Sequence, residues 1–308
     1  MAIITASLLE ALRTGFKKTF EDAYASMKAT TFYTDVSTIV PSTTASETYG
    51  WLGDFPDLRE WVGDRVVKDM KESGYQIVNK EWESTVGVKR PQIEDDNLGI
   101  YTPMVQSMGH SAARHPDILI AELIKNGNAN VCYDGQYFFD TDHPVYPNHD
   151  STGTAATVSN YDVPGTNPGI TWYLLDTSRP LRPFIFQERK RPEFEAKTDP
   201  RTSDAVFTSN QFQYGVYARH NVGYGFWQCA YASRQVLNSD NLDAAMQAMM
   251  EFTADGGRPL GIMPNLLVVP PALRSAANKT VEVMLGDGGA SNPNYKAVEV
   301  KVIPWLAG

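Results

Sequence analysis

The sequence predicts an α+β chain, and three features lead to that class. The first 27 residues carry a helical apolar period. The stretch from Trp172 to Tyr231 reads as strands, with eight aromatic residues between Phe207 and Tyr231. The last quarter then alternates helix, strand, helix, strand, the mark of a small α/β unit. With 308 residues and 42% apolar content the chain can bury a sizeable core, enough for two compact units.

The opening helix is set by Leu8, Leu12, Phe16, Phe20, Ala23 and Met27, which recur every three or four positions with charges between them. Glu10, Arg13, Lys17, Lys18, Glu21 and Asp22 interrupt its apolar positions, so it does not read as a signal peptide. No run approaches the roughly 18 apolar residues of a membrane span, and the expectation is a soluble chain made in a cytoplasm. Residues 30–50 are β-branched and hydroxyl-rich without a helical period. They predict an extended arm with little of its own to bury, lying on something else.

Residues 54–96 hold 18 charged residues, 7 basic and 11 acidic. From Val78 onward the segment also alternates. Val78, Trp82, Val86 and Val88 fall on one side, and Asn79, Glu81, Glu83 and Lys89 on the other. Arg65-Val66-Val67 is a candidate partner strand across a turn at Ser73-Gly74. A ribbon so charged cannot form a core alone, because an isolated hairpin is marginal in water. It packs either on its parent domain or on a neighbouring molecule.

Met104, Val105, Met108 and Ala112 share a helical face. Pro116 should restart or kink that helix, and Asn126-Gly127 should close it. A hairpin with Asp134-Gly135 at its turn is expected over residues 131–140, and a surface loop over 144–169. Phe212 to Val216 and Tyr224 to Phe226 read as two strands joined by a turn at Arg219 to Gly223. The closing unit is a helix over Leu242 to Phe252 opened by Asn241, a buried strand over Leu266 to Val269, a helix over Pro271 to Val283, and a strand over Val298 to Ile303.

Motifs of chemistry are sparse. A net charge of −9 argues against a protein that grips phosphate backbones. Cys132 and Cys229 lack a Cys-x-x-Cys partner; they read as buried thiols and fit a reducing compartment. No glycine-rich phosphate loop and no nucleophile elbow occurs. The most metal-like set is Asp140, Asp142, His143 and His149, whose spacing matches no familiar ligand pattern. A metal-dependent enzyme built on these four residues is the rival to a structural role, whereas His110 and His115 lack a third partner. The arm, the charged ribbon and the aromatic strands together leave more surface to satisfy than a monomer provides, which is what an assembling subunit carries.

Long motifs resemble one family along nearly the whole chain. They are Tyr49-Gly-Trp51-Leu-Gly-Asp-Phe-Pro-Asp-Leu-Arg59-Glu-Trp61-Val-Gly, Glu94-Asp-Asp-Asn-Leu-Gly-Ile-Tyr101, and Cys132-Tyr-Asp-Gly-Gln-Tyr-Phe-Phe-Asp140 followed by His143-Pro-Val-Tyr-Pro-Asn148. Tyr173-Leu-Leu-Asp-Thr-Ser-Arg179, Pro183-Phe-Ile-Phe-Gln-Glu-Arg189 and Gly223-Tyr-Gly-Phe-Trp-Gln228 continue the series. The chain is similar in these motifs to the Mu-like major head subunits, the gpT-like major capsid proteins.

The resemblance implies a Hong Kong 97-type major capsid fold. Residues 1–50 would be its N-terminal arm and 51–96 its extended β-loop. Residues 97–239 would form a peripheral domain with the spine helix and aromatic strands, and 240–308 an axial-type α/β unit. It implies a non-enzymatic subunit without cofactor or membrane contact, assembled in the bacterial cytoplasm into the hexamers and pentamers of a virion shell. Double-stranded DNA would be enclosed without sequence-specific binding, and a scaffold, a portal and a maturation protease would be partners. A tail or decoration protein is the structural alternative. Contacts between subunits are expected from Trp51, Arg59, Trp61, Arg65, Lys68, Val78, Lys80, Trp82, Val86, Val88, Lys89 and Arg90, with the apolar stripe lying across a neighbour and the cations pairing with its acidic residues.

Overall fold

A computed structural model describes residues 5–50, 52, 74–94, 98–149, 151–199, 203–286 and 289–307. The first part of the chain forms α1 (Ala6–Lys28), α2 (Tyr33–Val36), β1 (Ser37–Pro41), β2 (Ser46–Thr48), β3 (Gln76–Val78), β4 (Lys80–Lys89), α3 (Arg90–Glu94) and α4 (Thr102–Lys125). The middle forms β5 (His143–Val145), β6 (Ala156–Val158), β7 (Tyr161–Asp162), β8 (Trp172–Leu175), β9 (Phe184–Lys197), α5 (Asp204–Ser209), β10 (Gln211–Tyr224) and β11 (Ala230–Ser233). The end forms α6 (Ser239–Met250), β12 (Leu266–Val269), α7 (Arg274–Val281) and β13 (Glu299–Val302).

Two sheets organise these elements. One has four strands in the order β1-β9-β10-β4, with β1 parallel to β9 and the other pairs antiparallel. The other has five in the order β13-β12-β8-β11-β7. The five-stranded sheet draws β7, β8 and β11 from before residue 240, so a boundary there divides strands of one sheet. Composition shows where the chain changes character, but hydrogen bonding between distant strands decides which segments share a sheet.

α1 follows its apolar period. Thr5 caps it, its Oγ1 accepting from the Leu8 N–H at 3.2 Å. Phe16, Phe20 and Ala23 are buried. The helix lies on α4, where Gly109 lets the backbones close up: a Cβ there would stand 2.7 Å from the Phe20 carbonyl oxygen. Leu9, Phe16 and Phe20 join Val88, Ile93, Val105, Met108, Phe194, Phe212 and Tyr214 in an apolar cluster separate from the main core. α4 runs as one helix through Pro116, which does not restart it. Ser239 opens α6, with Asn238 rather than Asn241 as its cap.

The arm expected over residues 30–50 does lie on something else, the rest of its own chain, but it is corrected in two respects: Tyr33–Val36 is helical, and the segment buries apolar side chains of its own. Phe32, Tyr33 and Val36 are buried in the main core, and β1 is paired to the chain's own β9. Asp117 on α4 fixes this segment, its Oδ1 accepting the Phe32 and Tyr33 backbone N–H groups at 3.0 and 2.9 Å.

Of the two placements expected for the ribbon, β4 takes the one on its parent domain. β4 pairs with β10 of the same chain, Trp82 opposite Ala218 and Val86 opposite Tyr214. The candidate strand Arg65-Val66-Val67 lies outside the described residues. The alternation also slips at Asn79, where the chain leaves β2 and joins β10. Val78 is 54% exposed, whereas Asn79 is buried, donating to Ser42 Oγ and the Thr44 carbonyl and accepting from Gln187. The loop expected over 144–169 contains β5, β6 and β7. At residues 131–140 the expected hairpin is a turn closed by an isolated bridge from Val131 to Tyr137, with Gly135 at φ +90°.

The turn expected at Arg219 to Gly223 is absent. β10 is one strand of 14 residues, and its register against β9 shifts around Arg219. Gly223 serves close approach: a Cβ there would lie 2.3 Å from Ile77 Cδ1. Gly223→Ala is therefore expected to lower stability by about 1–3 kcal/mol, through overpacking. Adding Ile77→Val should recover part of the loss, as urea unfolding of the single and double variants would show; equal loss in both would place the strain elsewhere.

Candidate assembly surfaces and a buried polar centre

The expected contact residues separate into three groups. Trp51, Arg59, Trp61, Arg65 and Lys68 lie outside the described residues. Val88 is buried and Val86 half-buried against the cluster beneath α1, so this part of the stripe is used within the chain and not laid across a neighbour. Val78, Lys80, Lys89 and Arg90 are exposed. β4 is an edge of its sheet, and Glu81 on it stands 3.6 Å from Arg219 of β10.

Trp82 is half-buried. Its indole N–H donates to the His220 carbonyl at 3.0 Å, and its ring meets the His115 imidazole edge-on at 4.3 Å. His115 Nδ1 and His220 Nε2 are 2.9 Å apart and share one proton. Burial holds both histidines below their ordinary range, His220 at about 3, so the pair is neutral at pH 7. Trp82, Met108, Ala112, His115, Val216 and Ala218 line a cavity of about 110 Å³ where α4 meets the sheet. Trp82→Ala is accordingly expected to cost the subunit about 2 kcal/mol of stability before assembly is considered. A drop in the urea midpoint checks this, and an unchanged midpoint contradicts it.

The other polar concentration is buried beneath the turn at residues 131–137. Asn160 is fully buried and directs its amide at the Phe138, Trp227 and Ala230 carbonyls at 2.8, 3.3 and 3.2 Å. Those groups only accept, so the Asn160 Oδ1 must face the other way. There it accepts from the Asp140 backbone N–H at 2.9 Å and from His143 Nε2 at 3.2 Å. His143 Nδ1 lies 2.7 Å from Asp134 Oδ2, and its ring stacks on Trp227 at 4.0 Å and 9°. Burial alone would raise the Asp134 carboxyl. The hydrogen bond and charge of His143, with bonds from Cys132 and the Gln136 N–H, hold it below the usual carboxylate range. Cys132 is driven the other way, its thiol pushed far up by burial and by the Asp134 charge.

Asp140, Asp142, His143 and His149 do not converge. Asp140 accepts from the Tyr137 and Thr141 N–H groups, Asp142 is pushed up by Asp140 beside it, and His149 packs against Gly256. Among the described residues the side chains that do converge are Cys132, Asp134 and His143. Spacing around Asp140 hid this set, because it forms only when the turn folds back and β5 comes in beneath. Sequence reading also missed exposed apolar side chains at Val236, Met263 and Met284; no local periodicity marks them. No helix of the described residues is long and apolar enough to cross a membrane.

Comparison with known proteins agrees over the whole chain. The model of the family described as Mu-like prophage major head subunit gpT matches residues 9–306. The Mu-like prophage FluMu major head subunit of Haemophilus influenzae is 46% identical over 307 residues, with 98% of each chain covered. The major capsid protein of Escherichia phage Mu is 46% identical over 302 residues at the same coverage. Among solved structures, a chain of the procapsid of bacteriophage JBD30 superposes with a TM-score of 0.88 at 57% identity, covering 98% of this chain and 100% of that one. The α+β architecture is thus the Hong Kong 97-type fold of phage capsid subunits. By family model, full-length identity and superposition alike, the chain belongs to the Mu-like prophage major head subunit (gpT) family.

Proposed function

We propose that this chain is the major capsid subunit of a Mu-like tailed phage or prophage. Its copies assemble as hexamers and pentamers into an icosahedral virion shell around double-stranded DNA. The observation that carries this reading is the end-to-end superposition on a procapsid subunit, with a TM-score of 0.88. The structure supports it physically. β1 and β4 are sheet edges, and an edge with exposed backbone invites pairing or covering by another copy.

Val78, Lys80, Lys89 and Arg90 are exposed along β3, β4 and the start of α3, together with Glu81 and Glu83, a mixed-charge border able to pair with another copy. Each contact recurs many times in a closed shell, so modest individual contacts sum to a stable particle. α1 stays clasped to α4 of its own subunit. The net acidity suits a wall that encloses DNA without sequence-specific contact. A scaffold, a portal and a maturation protease complete assembly, which takes place in the host cytoplasm, and the subunit itself performs no catalysis.

Sedimentation velocity and negative-stain microscopy of the expressed chain, alone and with a scaffold, test the proposal. Closed shells, hexamers or pentamers are the expected species. Tubes or one small fixed ring would identify a tail or decoration protein instead, and a persistent monomer would end the capsid reading.

A further inference from the structure

We infer that Cys132, Asp134 and His143 form a binding site for a zinc-class divalent metal ion. The three donor atoms lie within 4.8 Å of one another. Cys132 Sγ is 3.0 Å from Asp134 Oδ1, and His143 Nδ1 is 2.7 Å from Asp134 Oδ2. A metal bound at about 2.3 Å from sulfur and about 2.0–2.1 Å from nitrogen and oxygen needs these groups only slightly further apart.

Local structure builds the site. The Cys132 N–H donates to the Gln136 carbonyl at 2.8 Å, and Gly135 at φ +90° closes the turn, so positions 132 and 134 present their side chains together. β5 brings His143 beneath them. Asn160 supplies the outer support of a ligating histidine: its Oδ1 is held toward His143 Nε2, so Nε2 keeps its proton and Nδ1 is the nitrogen left to coordinate. Trp227 stacks on the ring and keeps it from turning over. The Gln136 N–H steadies Asp134 at 3.1 Å.

Charge favours the exchange. One thiolate and one carboxylate neutralise a divalent cation, which suits a buried position. Binding takes the thiol proton of Cys132 and replaces the His143–Asp134 hydrogen bond by coordination. No oxidant or reductant takes part. Asp134 borders the exposed Gly135, the side from which an ion would enter. Metal uptake would tie the turn at 131–137 to β5.

The test uses the full chain, stripped with chelator and titrated with Zn²⁺ by calorimetry in buffers of different protonation enthalpy, and separately with Co²⁺. The expected result is one ion per chain, a rise in melting temperature, and a sulfur-to-cobalt charge-transfer band with intense tetrahedral d–d absorption. Cys132→Ser, which keeps a hydrogen bond to Asp134 and hence the fold, should abolish the charge-transfer band and weaken Zn²⁺ binding at least 10-fold. Absence of Zn²⁺ binding to the wild-type chain, a cobalt spectrum without the sulfur band, or equal affinity in Cys132→Ser would each overturn the inference.

Discussion

Replacing Asn160 by alanine is expected to be among the most damaging single changes in this chain. The side chain is fully buried and joins three backbone carbonyls on one side to His143 and the Asp140 N–H on the other. Truncation removes these bonds in a dry interior, at about 1–3 kcal/mol for each group left without another partner, although the Trp227 carbonyl keeps the Ala230 N–H and His143 keeps Asp134. Water entering the new space offsets part of that, so a net loss of about 4 kcal/mol is expected. The melting temperature should fall by roughly 10 °C. His143→Gln, which keeps one hydrogen bond, should cost less. Thermal melts of both variants check the ranking, and a mild Asn160→Ala melt would show that the centre is not a unit.

The second large effect is at Asp117. Its carboxylate is the acceptor for two backbone N–H groups at the start of α2, and Asp117→Ala strands both in the core, at about 3 kcal/mol. Charge complicates the site. Burial pushes the Asp117 carboxyl up to about 6, against the two hydrogen bonds, which pull it down. A carboxyl whose pKa is higher folded than unfolded binds its proton more tightly in the folded state. Its contribution is therefore fully present below pH 3.8 and lost as pH rises through 6. Asp117→Asn keeps an oxygen for both N–H groups and removes the charge. It should match or exceed the wild type at pH 8, with the advantage shrinking toward pH 5. Urea midpoints across that range measure it; a variant less stable at pH 8 than at pH 5, relative to wild type, would contradict the assignment.

Both effects rest on pairings that span the chain, which explains how much was legible in the sequence. α1 and β12 could be read directly, because burial on one helical face or along a whole strand writes a local period. The same logic failed at Asn79, where β3 and β4 turn to different partner strands and the phase of burial shifts between them. Arg219 to Gly223 has the composition of a turn, yet Gly223 is needed for the approach of Ile77 from another strand. Residues 30–50 looked short of apolar surface because their burial depends on Asp117, more than 80 positions away. Among the expected contacts, Lys80 and Lys89 keep the exposure that their charge demands, Val78 is exposed because the phase of burial shifts at Asn79, and Val88 is buried beneath the N-terminal helix α1. Cys132, Asp134 and His143 were each visible as residue types, but only the folded turn brings them together.

The account is tested most directly by a cryo-electron microscopy reconstruction of particles formed by the expressed chain. It predicts closed icosahedral shells in which α1 rests on α4 of its own subunit and Val78, Lys80 and Lys89 lie at contacts between copies. Particles without icosahedral symmetry, or shells in which that border of β3 and β4 faces open solvent in every copy, would contradict it.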